Sequence, residues 1–555
     1  MENSIREARR ASHGSVWKVL LGLLALIVCC SALPTLTSSD EHNDFEVCPE
    51  YQEVFQVYHR PQPTIQRCQQ TLVQHHFGFS YGRPFVGRYV PPLACGYDFR
   101  RVLLNLTTVC MGTQFDRIAF IRLHGIEIWR TSTLEPRRSG SWSSFTRDVT
   151  AYSRLFQSPG EVTVELGNLI DENYDGVFNI TLEVIFDYGA MGSDVADLIV
   201  GISEEVSVPR NSVRAVAKIF ASGNAGEEFW YTNVPEEFTD MFGTDLPGHS
   251  PFREVRLKVD GRIAGVVWPF PVIFTGGIVP GLWRNIVSID CFDLQEHEIN
   301  LSPWLGILTD GKQHDVTLAV FGQNEKELGD WYLSGSLHVW IDEDLKEPEC
   351  DMVEYSISGD VHTSGAVDAS RGEAQMVTTA SRQVVATSRI KTSWGWTVRT
   401  WQQSLLFRNT QVLAHRGLVQ NVTHLTTGMD ESLLNDHYIG DGYALRYNYP
   451  FSLNFTFTPM AEAFSFEAEL AHGKHVHREI PRYLWPREEA LQTTQVGKAL
   501  YRRRYDAKSG STSGDTKQDY FESRRNDQPY RRHVYAHNGS IEDDDPRFIA
   551  RFLRT

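Results

Sequence analysis

Apolar and polar residues alternate in short runs along nearly the whole chain. "RVLLNLTTV", "RIAFIRL", "EVTVELGNL" and "FNITLEVIFDY" are rich in β-branched and aromatic residues and end at Gly, Asp or Asn. A period of two with turn residues at its ends predicts half-buried β-strands. Sustained helical periodicity is scarce. Its best candidates are Asp194 to Val200 and Ala461 to Ala471.

The pattern repeats. "FDRIAFIRLHGIEIWRTST" (115–133) and "FREVRLKVDGRIAGVVWPFP" (252–271) each read as strand, glycine turn at Gly125 or Gly261, strand. A short irregular stretch, a turn and a further strand follow both. "YDGVFNITLEVIFDYG" then parallels "GDWYLSGSLHVWIDED". Three blocks in one order predict two β-sandwich domains of similar topology, 45–190 and 200–346, since half-apolar sheets bury themselves by covering each other. Residues 350–555 form a further β-rich region, with "WGWTVRTWQQSLLF" and "YPFSLNFTFTPM" as strand pairs. Beyond Arg502 the composition turns polar and charged as far as Asp543, Asp544 and Asp545, which alone reads as a disordered tail.

Composition narrows the setting. The 555 residues carry a formal charge of −17, which disfavours nucleic acid as a partner. Arg6, Arg9, Arg10 and Lys18 precede an apolar run from Val19 to Cys30, and small residues follow it. Residues 1–32 therefore read as a cleaved signal peptide, with an uncleaved membrane anchor as the alternative. Export agrees with sequons at Asn105, Asn179, Asn300, Asn421, Asn454 and Asn538. It also agrees with an even set of cysteines beyond the signal: Cys48, Cys68, Cys95, Cys110, Cys291 and Cys350. Cys95 and Cys110 flank one strand-like segment and are the favoured pair.

Phosphate-binding glycine loops, nucleophile elbows and zinc-binding histidine pairs on a helix are absent from the sequence. His475 and His477 alternate on a strand with no third ligand in spacing, and thiols in an oxidising compartment make poor nucleophiles. Carboxylates remain. Asp116 and Arg117 open a strand, where a surface ion pair is the commonest role. Glu227 and Glu228 precede Phe229, Trp230 and Tyr231, and an acid buried among aromatics tends to keep its proton.

The strings "GTQFDRIAFIRLHGIEIWRTSTLEP", "RDVTAYSRLF", "GEEFWYTNVP", "PFPVIFTGGIVPGLWRNIVSIDCFDL" and "HVWID" resemble the peptide N-glycosidase A family of plant and fungal glycoamidases. The resemblance runs from about Cys48 to Asp344. It extends weakly into "SWGWTVRTWQQSL" and "QDYFESRRNDQPYRRHVYAHNG". A more distant likeness is to the bacterial peptide N-glycosidase F, built from two jelly rolls. The resemblance implies an all-β fold of two adjacent jelly-roll-like sandwiches. It implies hydrolysis, without metal or cofactor, of the amide joining an N-glycan to asparagine in glycopeptides or glycoproteins. It places a catalytic acid at Asp116 and a second at Glu228, with Glu227 as rival and Arg117 beside them. Trp230, Glu227, Arg130 and Trp283 become candidate substrate contacts, with the aromatic trio 229–231 walling the cleft. A further acid of the bacterial enzyme would fall near Gly167 and Asn168, so its role is missing here or moved to Glu165 or Asp171. The likeness at "QDYFESRRNDQPYRRHVYAHNG" implies terminal strands over 518–535, leaving a charged loop near 505–516. Two other classes compete: a glycan-binding sandwich without catalysis, and a glycosidase working through a carboxylate pair.

Overall fold

The structure, a computed structural model, describes residues 51–62, 67–95, 99–189, 195–243, 246–346, 349–434, 442–480, 487–507, 510–524 and 528–549. The N-terminal signal reading and Cys48 lie outside these residues.

The chain is all-β, in agreement with the alternation. In the first sandwich a five-stranded sheet has the order Gln52–Glu53, Ser141–Asp148, Phe99–Met111, Val177–Tyr188, Arg67–Phe77. A four-stranded sheet runs Phe85–Tyr89, Gly160–Leu166, Ile118–Leu123, Ile126–Ser132. Between them lies one core that includes Phe99, Leu104, Trp129, Phe156, Phe178 and Leu182. A second pair of four-stranded sheets encloses Ile219, Leu257, Trp304, Leu305 and Leu337. The repeated block is a hairpin in each: Ile118–Leu123 with Ile126–Ser132, and Glu254–Val259 with Arg262–Val267. Both turns, His124-Gly125 and Asp260-Gly261, carry two positive φ values, the tight hairpin turn that matches strand twist.

From Glu349 the chain forms one eleven-stranded sheet, antiparallel throughout, with strands as long as Glu373–Thr392 and Gly395–Ala414. Burial along Glu373–Thr392 alternates residue by residue, so one face packs inward and the other is solvated.

A coil segment fastens the three parts together. After Arg262–Val267 it crosses to the first sandwich, where Ser132 N–H donates to Cys291 O, Leu294 N–H to Arg130 O and Trp129 Nε1 to Phe292 O. Its acids are taken by cations from all three bodies. Arg147 of the first sandwich pairs with Asp293 (2.9 Å) and Glu296, and Lys218 of the second with Glu296 (3.3 Å). Lys474 of the long sheet pairs with Asp290.

Several expectations are corrected. Leu198–Gly201 and Ala463–Ile480 are strands, not helices. In the second, Glu467, Ala468, Glu469 and Leu470 alternate out and in, and pairing on both sides overrides the helix-forming Ala and Glu. The tail that composition alone reads as disordered is ordered as Ser511–Ser523, Tyr530–His537 and Ser540–Phe548, in agreement with the terminal strands that the resemblance implies over 518–535. The loop expected over 505–516 is shorter, because Ser511–Thr516 pairs with Gly497–Arg502 and the Thr516 hydroxyl donates to Leu282 O at 2.5 Å. Cys95 pairs with Cys68 rather than Cys110. Cys110 lies on the inner face of Phe99–Met111, buried beside Gln114 and Gly176, and is free, as are Cys291 and Cys350. A strand's inward face and the loop at its entry do not meet, so flanking in sequence was no guide.

Peptide mapping without reduction is expected to recover Cys68 linked to Cys95. Closing that loop stabilises by about 3 kcal/mol, so Cys68→Ser should lower the thermal midpoint by several degrees. A Cys95–Cys110 peptide would contradict the fold at this point.

Candidate active site

Asp116 sits at the entrance to Ile118–Leu123. Its neighbour Arg117 is locked to the partner strand's end, donating N–H to Thr133 Oγ1 (2.9 Å) and accepting Thr133 N–H (2.8 Å). The Arg117 guanidinium donates to Gln114 Oε1 (2.8 Å) and Asn168 Oδ1 (3.4 Å). Asp116 is half-buried against Gly276 of the crossing segment. A Cβ at Gly276 would stand 2.6 Å from Asp116 Oδ1, so only glycine allows that approach. Burial raises the Asp116 carboxyl above the usual range, and the Gly276 N–H, its own N–H and the Arg117 charge hold part of that back.

Glu228 comes from the other sandwich, on the short turn after Ser212–Gly223. Its carboxyl has no hydrogen-bond partner among the described residues. Burial, then the nearby Asp116, push it up to about 8. The two carboxyls line one cleft of about 930 Å³, a size suited to a small ligand or part of a larger one. Two such acids lose their protons in separate steps. The first proton leaves Asp116, which has an N–H and a guanidinium to favour its charge. Glu228, with neither, keeps its own.

A third acid, Glu135, lies in the same cleft just beyond Ile126–Ser132. Burial raises it to about 7, against the pull of Arg284 and with the push of Asp116. The long sheet closes the outer wall with Tyr501, Thr512 and Asn538. The sequence reading missed these. Glu135 stands in the quoted "RTSTLEP" with no chemical neighbour to mark it, and the outer wall is hundreds of residues away.

Other candidates fall elsewhere. Glu227 is buried in a forked pair with Arg253 and accepts from the Trp331 indole (2.8 Å), so burial's upward push is outweighed and its pKa is lowered. Arg130 is fully buried, forked on Glu127 (2.8 and 3.0 Å) and donating to Tyr332 O across the two sandwiches. Trp230 packs on Trp331 and His424, and Tyr231 on Phe451, so the expected aromatic wall is core. Both rings find more apolar contact against the long sheet than a wet cleft would give them. Trp283 is buried and donates to Gly277 O at 2.8 Å, shaping the glycine turn behind Asp116. Glu165 reaches the cleft but pairs with Arg122 (2.9 Å), and Asp171 caps its own turn. Asn105 and Asn300 are buried, with the Asn105 oxygen accepting from Thr146 and the Asn300 amide donating to Ser432 Oγ, which leaves no room for a glycan. Asn179 is half-buried, while Asn421, Asn454 and Asn538 are exposed.

Together the fold and cleft define a double-sandwich protein whose two sandwiches each bring an acid to one site. The chain belongs to the peptide N-acetyl-beta-D-glucosaminyl asparaginase amidase A family, whose model matches residues 56–208 and 204–358. The model of the PNGase A C-terminal domain matches 375–451. The chain is 34% identical over 415 residues to the peptide-N4-(N-acetyl-beta-glucosaminyl)asparagine amidase A of Prunus dulcis, covering 67% of this chain and 71% of that one. Among solved structures, a recombinant peptide N-glycanase F aligns with a TM-score of 0.34 at 13% identity, over 50% of this chain and 96% of the other. The PNGase F of Flavobacterium meningosepticum aligns at 0.34 and 14%, with the same coverage.

Glu227 and Glu228 should separate cleanly by stability. Glu227→Gln leaves Arg253 buried without its counter-charge and is expected to cost about 3–5 kcal/mol. Glu228→Gln should be neutral or stabilising. The wild-type unfolded chain releases the Glu228 proton near 4.5 while the folded chain holds it to about 8. Wild-type stability therefore falls between those values relative to the variant, and the gap in thermal midpoint widens as pH rises. Equal losses for both variants at every pH would contradict the assignment.

Proposed function

We propose that this chain is a glycoamidase that hydrolyses the amide between N-acetylglucosamine and asparagine in N-glycopeptides or N-glycoproteins. The observation that carries this reading is the meeting of Asp116 and Glu228, one from each sandwich, in a single cleft. The first is poised to ionise and the second to stay protonated.

Amide hydrolysis needs those two states at once. Ionised Asp116 takes a proton from water as its oxygen attacks the side-chain carbonyl carbon. Protonated Glu228 delivers its proton to the amide nitrogen as the carbon–nitrogen bond breaks. The products are an aspartate in the peptide and a 1-amino sugar, which later releases ammonia in water. Arg117 holds the Asp116 loop, and its guanidinium lines the same cleft, where positive charge favours the negative charge that forms on the carbonyl oxygen. Gly276 supplies the N–H that favours ionised Asp116. The almond relative's name and the family match support the substrate class. Residence in the secretory pathway is inferred with it, from the N-terminal apolar segment and the exposed sequons.

An N-glycopeptide is the direct test. Conversion of Asn to Asp raises the released peptide by about one mass unit, whereas a glycosidase leaves the asparagine amide and a binding protein leaves the substrate whole. Asp116→Asn is expected to lose about 10²-fold or more in rate with folding retained. Gly276→Ala should lose rate comparably by displacing the carboxylate. A folded Asp116→Asn protein with an unchanged rate would overturn the assignment.

A further inference from the structure

Glu135 faces the cleft and the hydrolysis above does not use it. Its Oε2 is buried, and among the described residues no hydrogen-bond donor reaches it. It stands close to Asp116. Asp116 Oδ1 and Glu135 Oε2 lie 2.6 and 3.5 Å from the point a Gly276 Cβ would occupy, so their separation cannot exceed the sum of those distances, about 6 Å. At that range one carboxylate opposes ionisation of the other.

The surroundings divide by sign. Arg284 and Arg137 face Glu135 and favour its charge, Asp116 opposes it, and Tyr501 approaches from the long sheet. Arg117 and Gly276 face Asp116, with Glu228 and the buried Cys291 thiol on its other sides. Asp116 is thus the middle of three acids, and each outer acid feels its charge.

We propose that Glu135 is a positioning residue for Asp116: its uncharged carboxyl lets Asp116 be the one ionised acid of the cleft, and its ionisation turns hydrolysis off. The proposal rests on the amidase reading of the same site. With Glu135 neutral, the cleft holds one negative charge. Loss of its proton, to solvent, adds a second charge within about 6 Å. That charge opposes the oxyanion forming on the amide carbonyl and makes Glu228 hold its proton more tightly. Both effects slow the reaction. Burial places the transition near neutrality, so the chain would work on the acid side of it.

The test is the pH profile of kcat/KM on a glycopeptide for wild type, Glu135→Gln, Glu135→Asp and Asp116→Asn. Wild-type activity should fall above pH 7 with a slope steeper than loss of one proton. Glu135→Gln should match wild type at pH 5 and exceed it by about tenfold at pH 8, with a one-proton slope. Glu135→Asp, which keeps an ionisable group, should retain the steep fall, and it reports on the proposal even if the glutamine variant fails to fold. A wild-type to Glu135→Gln ratio that stays constant across pH overturns the proposal. So does a hundredfold loss for Glu135→Gln at every pH, which would make it a direct participant. In either case an inactive Asp116→Asn leaves the amidase reading standing, while an unchanged Asp116→Asn rate removes the reading itself.

Discussion

One coil segment, from Trp268 to Glu296, fixes where everything else in the site can be. Its acids bind Arg147, Lys218 and Lys474, one cation from each of the three β bodies. Buried ion pairs add little net stability, because desolvation cancels most of the attraction. Breaking one, however, strands a charge, so the arrangement strongly favours one docking geometry over all others. That geometry puts Gly276 against Asp116 and turns the Glu228 loop toward the same space.

The chemistry follows from what each acid lacks or has. Asp116 and Glu228 are alike in kind and both are half-buried, yet one has a backbone N–H and an arginine and the other has no donor among the described residues. Neighbouring Glu227 is more deeply buried, and it is consumed by Arg253 and Trp331. Three neighbouring acids therefore take three roles according to their partners. The same contrast separates Arg130, spent on Glu127, from Arg137 and Arg284, which face Glu135 in the cleft.

Much of the fold was legible because alternation is a backbone signal. The hairpins at Gly125 and Gly261 and the strands of the long sheet follow directly from period-two burial. Ala463–Ile480 was misread since helix formers such as Ala468 and Glu469 can sit in a strand paired on both sides. The terminal strands expected over 518–535 from the resemblance are present, whereas composition alone pointed to disorder since charge predicts solvent contact, and Ser540–Phe548 has it while still hydrogen-bonded as an edge strand. Within the site, Asp116 and Glu228 were reached through resemblance, and residue spacing had left Asp116 as an ordinary ion pair. Glu135 and the Tyr501–Thr512 wall were invisible, because their proximity is created only when distant segments dock. Trp230 was placed wrongly for the same reason: an aromatic beside an acid can as well face the opposite way, into the core.

The central claim is that acids from two sandwiches act on one amide bond. It is tested most directly by a crystal structure of the Asp116→Asn protein with an intact N-glycopeptide bound. The account predicts the glycosylated side-chain amide inside the cleft, with its nitrogen about 3 Å from the Glu228 carboxyl and its carbonyl carbon facing position 116 across a water. A glycopeptide seated elsewhere on the protein, or one whose amide lies out of reach of Glu228, would contradict it.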